Sequence, residues 1–245
     1  LQIVENDPAY IREIKISGNA KTFEDVIRRE FRTYPGDKFE LNRVQRSLRD
    51  VFQLGYFAGP PNIDTEPVND AGDINLLIAV EEKQTGNFKF GFGFSQLYSA
   101  SGFFGIQEPN FLGRGNSIAL DWEFGKYRTN LNCRYTEPNL FGTETAFTVN
   151  LFNWILDRVQ QLYYTDRRKG FSLQLGHPFP LLDYTRISGS YRLEQVELSN
   201  FSESYPETGA LREVDWPLNK SSFMLSLTRN STDSPFHPTT GSVTS

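Results

Sequence analysis

With 245 residues and a formal net charge of −5, the chain is long enough for two modest domains or one large β domain, and it lacks the basic excess that nucleic-acid binding requires. Its mean hydropathy of −0.47 and the absence of any apolar run near 18–20 residues exclude a transmembrane helix. A transmembrane β-barrel passes the same test, because its strands alternate lipid-facing and lumen-facing residues and so average to a soluble-looking hydropathy.

No initiator Met and no charged-then-apolar leader precede Leu1, so a processed or truncated segment is expected. Residues 10–83 read as a compact α/β unit. Its first strand, 10-YIREIKISG-18, carries Ile11, Ile14 and Ile16 at uneven spacing and stops at the turn pair Gly18-Asn19. Thr22 is expected to cap the next helix, with Asp25 three residues on and Phe23, Val26, Ile27 and Phe31 on one face. After Pro35-Gly36-Asp37, a second helix is expected from Glu40 to Leu54. It has Leu41, Val44, Leu48, Val51 and Phe52 inward, Arg43, Arg46 and Arg49 on its solvated face, and Gly55 as its stop. The prolines in 60-PPNIDTEPV-68 mark an edge strand, since Pro removes a ladder donor, and 74-INLLIAVEE-82 is the strongest strand of the unit. The expected order is β-α-α-β-β.

From Thr85 the hydrophobic period changes to two. Phe88, Phe90, Phe92 and Phe94 alternate with Lys89, Gly91 and Gly93, which builds a wall of rings on one side of a strand. Strands are expected at 86–95, 102–108, 116–126, 128–137, 143–154, 169–177, 184–198 and 220–230, with a ninth beginning near Gly241. Ile118, Leu120, Trp122 and Phe124 share a face, as do Phe171, Leu173 and Leu175, while Asp121, Glu123, Arg134 and Arg192 fall on polar faces. The strand lengths exceed those of ordinary soluble sheets. Tight connections at 109-PNFLG-113, 138-PNLFG-142, 178-PFPLLD-183 and 235-PFHPTTG-241 alternate with long charged ones at 155–168 and 199–219. Apolar faces that meet lipid and polar faces that line a wet lumen account for this pattern better than a soluble sandwich does.

No catalytic constellation can be assembled. A G-x-S-x-G elbow is absent, and His177 and His237 precede prolines in expected turns without ligand-spaced partners. Asp121 and Glu123 read as lumen carboxylates, and Cys133, the lone cysteine, as a small strand residue. Neither a cofactor nor a metal is expected, and the chain reads as a non-enzyme.

The β-α-α-β-β order, Gly18-Asn19, 54-LGYF-57 and the strand closing before 81-EEKQTGNF-88 resemble a POTRA domain. The join into the Phe-rich strand, the twin phrases 108-EPNFLGRG-115 and 137-EPNLFGTE-144, and 229-RNSTDSPFHPTTGS-242 resemble the BamA family of outer-membrane protein assembly factors. The resemblance implies an α+β periplasmic POTRA domain at 10–83, preceded at 1–9 by a linker or the tail of another POTRA domain. An antiparallel transmembrane β-barrel would begin at residue 84, with only its first eight to nine strands present. The family's inward-folded Arg-Gly-Phe loop and its closing strand do not occur before Ser245.

In that family the first barrel strand meets the last at a seam, which implies a role for Asn87, Phe88, Lys89, Phe90, Gly91, Phe92, Gly93 and Phe94 as a lateral-seam strand that templates incoming strands. Ile63, Asp64, Thr65 and Glu66 would form a second augmentation edge. The implied partners are nascent outer-membrane β-barrel proteins, accessory lipoproteins, periplasmic chaperones and outer-membrane lipid, at the cell outer membrane. The rival with the same plan is a two-partner-secretion transporter that passes an unfolded polypeptide through the lumen; a passive porin would have no use for a POTRA-like unit.

Overall fold

The computed structural model describes residues 8–69, 72–96, 99–157, 163–205, 209–232 and 241–244. The chain divides into two compact units, one of residues up to Gly86 together with Asn110–Gly115, the other of Asn87–Pro109 and the residues from Asn116 onward.

In the first unit, β1 (Ile11–Ser17) is followed by α1 (Glu24–Arg28), α2 (Leu41–Gln53), β2 (Asn62–Pro67) and β3 (Ile74–Ala79). The sheet order is β1-β3-β2, with β1 parallel and β2 antiparallel to the central β3. This is the expected β-α-α-β-β order with the proline-bearing strand at an edge. A register shift between Ile11 and Glu13 explains the uneven isoleucines: the irregularity turns both Ile11 and Ile14 into the core, although three residues apart on a regular strand they would face opposite ways. Val26, Ile27, Phe31, Val44, Leu48, Val51, Phe57, Leu76 and Ile78 complete that core.

Three helix expectations are corrected. The residue at the α1 N-cap is Phe23 and no side chain caps it. Thr22 does not cap it: the backbone amides of Thr22 and Lys21 instead donate to the Glu82 carboxylate at 2.6 and 2.9 Å, a partner supplied from beyond β3. Phe23 is exposed, and Phe31 reaches the core from outside the short helix. On α2 the buried face is Val44, Ser47, Leu48 and Val51, while Leu41 and Phe52 are exposed. At about 100° per residue those two lie roughly 70–90° from the centre of the buried face. Ser47 takes the space, accepting from the Arg32 amide at 2.9 Å and donating to the Arg43 carbonyl at 3.0 Å. Arg43, Arg46 and Arg49 are exposed, as expected.

The second unit is a nine-stranded antiparallel sheet of β4 (Asn87–Ser95), β5 (Ser99–Phe111), β6 (Asn116–Gly125), β7 (Arg128–Glu137), β8 (Ala146–Leu156), β9 (Thr165–Pro178), β10 (Thr185–Ser199), β11 (Leu218–Asn230) and β12 (Val243–Thr244). Strands pair in sequence order, with β4 at one end and β12 at the other. The strands that most outrun their expected limits are β5, at both ends, and β9, chiefly at its start, where Thr165–Arg168 carries polar residues on both faces and so shows no period of two. His177 therefore lies on β9 instead of in a turn, its Nδ1 3.0 Å from Thr145 Oγ1. The first tight turn begins later than expected, at Leu112. The expected turn at 235–241 and His237 fall almost wholly outside the described residues.

The twin phrases form twin turns. Leu112 and Phe141 take φ of 54° and 53°, and Gly113 and Gly142 both take φ of 74°. The Gly113 amide donates to Asn110 O at 3.0 Å, and that of Gly142 to Asn139 O at 3.1 Å. A non-glycine residue in the left-handed region is costly, so the repeat of this pair reflects a shared turn and not chance composition.

Burial differs sharply between the units. Among the described residues, Leu198 is the one hydrophobic side chain buried on the nine-stranded sheet, whereas Asn116, Thr165, Asp166, Thr185 and Glu194 are buried polar residues there. No described helix is long and apolar enough to cross a membrane, which says nothing about strands.

Candidate functional site

The Phe-rich strand β4 pairs with β5 from Asn87↔Gln107 to Ser95↔Ser99, and among the described residues no strand pairs with its other edge. Phe88, Phe90, Phe92 and Phe94 share one face, and Phe90 and Phe92 are 71% and 83% exposed. Phe88 and Phe90 stack with centroids 6.3 Å apart, and Phe92 meets Phe124 of β6 edge-on at 6.4 Å. Beneath that pair lies Gly102, where a Cβ would come within 2.6 Å of Phe124 and 3.1 Å of Phe92. Large rings therefore cross over a position without a side chain.

The opposite face of β4 is asymmetric. Gly91 faces Phe103, whose ring fills the space a side chain would take, while a Cβ at Gly93 would meet nothing within 4 Å. Asn87 and Lys89 are exposed on the same face, and a cleft of about 270 Å³ brings Lys89 together with Asp121, Glu123 and Asn130.

At the POTRA edge, Ile63, Asp64, Thr65 and Glu66 are all exposed on β2, which pairs with β3 alone. The Glu66 carboxylate is drawn onto the sheet by Asn75 Nδ2 and Lys15 Nζ, each at 3.3 Å. The Asn75 hydrogen bond, followed by the one from Lys15, holds its pKa below the usual glutamate value.

Ile118, Leu120 and Trp122 stand opposite Tyr135, Cys133 and Leu131 across β6–β7, and Phe171, Leu173 and Leu175 stand opposite Leu151, Val149 and Phe147 across β8–β9. Trp122 is 45% and Leu173 37% exposed, Leu175 is exposed, and Ile118, Leu120, Phe124 and Phe171 are half-buried. Phe90, Trp122 and Leu173 thus share no dry centre.

The other face is polar and internally bonded. Ser188 and Ser226 hydroxyls lie 2.7 Å apart, and those of Thr136 and Thr148 3.1 Å apart. Glu194, nearly inaccessible, takes Arg192 at 2.8 Å and Lys220 at 3.6 Å. The Arg192 guanidinium lies 4.1 Å over the Phe152 ring, and Arg168, paired with Asp166 at 2.7 Å, lies 5.4 Å over Trp154. Sequence reasoning missed Phe152, Trp154 and Glu194 as residues of this polar face. The legible signal was the break in β8 alternation at 150-NLFNWI-155, where the aromatic positions change face. Among the described residues no cluster of three or more His, Cys, Asp or Glu could hold a metal ion.

The family model described as the Omp85 superfamily domain matches residues 110–245, and a POTRA model described as the surface antigen variable number repeat matches residues 9–83. The outer membrane protein assembly factor BamA of Nitratidesulfovibrio vulgaris is 27% identical over 245 residues, covering 98% of this chain and 30% of that protein. The crystal structure of BamA from Haemophilus ducreyi lacking POTRA domains 1–3 superposes with a TM-score of 0.71 at 23% identity, covering 96% of this chain and 47% of that one. CdiB from Escherichia coli shares the fold with a TM-score of 0.59 at 12% identity, over 91% of this chain and 42% of its own. The chain therefore spans under a third of that curated relative and under half of either solved chain.

Proposed function

The chain belongs to the Omp85 superfamily, within its BamA family, and on that premise we propose that it folds and inserts nascent outer-membrane β-barrel proteins by templating their strands along β4. It resides in the outer membrane with its POTRA domain in the periplasm. We take residues 10–83 as that domain, 84–245 as the N-terminal part of the barrel, and 1–9 as a linker or the tail of a preceding POTRA domain.

One observation carries the reading: β4, the first strand after the POTRA unit, pairs fully with β5, sets four exposed phenylalanines on one face and has glycines at 91 and 93 on the other. Backbone amides and carbonyls left unpaired in hydrocarbon cost several kcal/mol each, so the seam edge of β4 must stay paired in a bilayer, and in this reading a substrate strand exchanges with the closing strand there without nucleotide or cofactor. The exposed rings of Phe88, Phe90, Phe92 and Phe94 then face acyl chains, as do Ile118, Leu120, Trp122, Phe124, Phe171, Leu173 and Leu175. Gly93, with open space above it, lets the edge bend as partners exchange. Accessory lipoproteins and periplasmic chaperones would deliver substrate to the POTRA domain, where Ile63, Asp64, Thr65 and Glu66 offer a second, soluble edge.

The test is a cysteine at Gly93 of the full-length protein, which adds a side chain where nothing obstructs it. Crosslinks to nascent outer-membrane barrels support templating; crosslinks confined to a secreted polypeptide favour the rival. That rival, export of an unfolded chain through the lumen, draws on the polar pairs Ser188–Ser226 and Thr136–Thr148 and on the ion pairs of the same face.

A further inference from the structure

We propose that the outward face of β8, β9 and β10, at the strand ends remote from the POTRA junction, holds the phosphate of an outer-leaflet lipid headgroup. The inference rests on that face meeting acyl chains, as proposed above. Across these three strands, register places Val149, Leu173 and Tyr191 in one row and Leu151, Phe171 and Leu193 in the next. The following two rows are Asn153, Lys169 and Gln195, then Ile155, Arg167 and Glu197. Apolar character thus ends within one row, and the first cation stands two residues, roughly 6.6 Å, beyond the Phe171 ring position.

An outward cation is expensive at the bilayer midplane and cheap at the interface, so these rows belong at headgroup level. Antiparallel alternation fixes which interface. On that premise the chain leaves its POTRA unit at Asn87 and runs outward along β4, β6, β8 and β10, which puts the start of β9 and the end of β10 at the outer surface.

The neighbouring inward charges are spoken for, since Arg168 pairs with Asp166 and Arg192 with Glu194. Arg167 and Lys169 are exposed, and neither joins an ion pair among the described residues. They line a cleft of about 200 Å³ with Asn153, Ile155, Gln195, Glu197 and Arg168, the last already paired with Asp166. Two cations and two amides converge there against one carboxylate, a set that suits a phosphate monoester, with Arg167 supplying a planar fork of donors and Lys169 a point charge. The apolar row of Leu151, Phe171 and Leu193, on the membrane side of the cleft, would receive the first methylenes of the attached chains.

The test counts lipid bound to the full-length protein by native mass spectrometry after release from phosphatidylcholine nanodiscs carrying either a diphosphorylated glycolipid or its dephosphorylated form. The wild type is expected to retain the phosphorylated lipid about tenfold better than Arg167→Gln/Lys169→Gln. Glu197→Gln, which removes the opposing carboxylate, is expected to retain more, and that result stands even if the double variant does not fold. Equal retention by wild type and double variant, equal retention of both lipids, or no gain from Glu197→Gln overturns the proposal. Complete displacement by inorganic phosphate overturns it as well, by assigning the cleft to a free anion. Failure of the wild type to enter nanodiscs would instead defeat the membrane reading beneath it, whereas normal entry without lipid discrimination defeats the headgroup site alone.

Discussion

Gly91 on β4 lies directly opposite Phe103 on β5, and a Cβ at Gly91 would come within 2.5 Å of that ring. Gly93, two residues on and on the same face, has open space. Two glycines that look equivalent in 88-FKFGFGF-94 thus have different reasons to be there. Gly91→Ala is expected to destabilise the β4–β5 hairpin by about 1–3 kcal/mol, the usual cost of overpacking, and Phe103→Ala to recover part of that loss in the double variant. Gly93→Ala should change little. Urea midpoints of the refolded protein distinguish these outcomes, and equal costs at the two positions would contradict the packing argument.

The twin turns predict a second inequality. Gly113 and Gly142 share φ of 74°, so alanine at either carries the left-handed penalty of about 1–2 kcal/mol. A Cβ at Gly142 meets nothing, whereas one at Gly113 collides with the Lys21 backbone carbonyl within the first unit, where Gly113 O also accepts from the Phe23 amide at 2.9 Å. Gly113→Ala is therefore expected to be several-fold more damaging than Gly142→Ala, read as the fraction of folded, heat-modifiable protein on semi-native gels.

Glu194 is the most enclosed acid of the sheet and the shared partner of Arg192 and Lys220. Glu194→Ala leaves both cations without it and is expected to cost about 1–3 kcal/mol, since those side chains keep some access to water. Arg192→Lys should cost less than the alanine variant yet more than nothing, because the stacked guanidinium over Phe152 is lost. Denaturant midpoints of the three proteins test the order.

Acid sensitivity of the POTRA domain follows from two carboxylates. Hydrogen bonds from Asn69 and then Arg12 hold Asp73 below its ordinary range. Burial pushes Glu82 upward, but the hydrogen bonds from Thr22 and Lys21 outweigh it and leave the group lowered. A lowered folded-state value means stability that is fully present above the unfolded value, roughly pH 4, and is lost as pH falls through the folded value. Urea midpoints of the domain in the full-length protein should therefore fall as pH drops below about 4, the ordinary carboxylate range. Asp73→Asn and Glu82→Gln should each flatten that fall while lowering the midpoint at neutral pH. An unchanged slope in both would refute the assignment.

Most of the architecture was legible in residues 85–230 because a strand's period of two survives any tertiary context: Ile118, Leu120 and Trp122 must share a side once the segment is extended. The switch from helical spacing at Val44, Leu48 and Val51 to strict alternation at Phe88 marked the boundary between units, and Pro67 marked an edge, since neither depends on what packs nearby. Tertiary structure alone decided what depends on a distant partner. Glu82 receives the amides ahead of α1 in place of Thr22, a register shift turns Ile11 and Ile14 the same way, and Phe103 makes Gly91 necessary while placing no packing constraint on Gly93. It also decided that Arg167 and Lys169 share a face and a cleft with Asn153 and Gln195, because cross-strand register is set by pairing between segments and cannot be read along one of them.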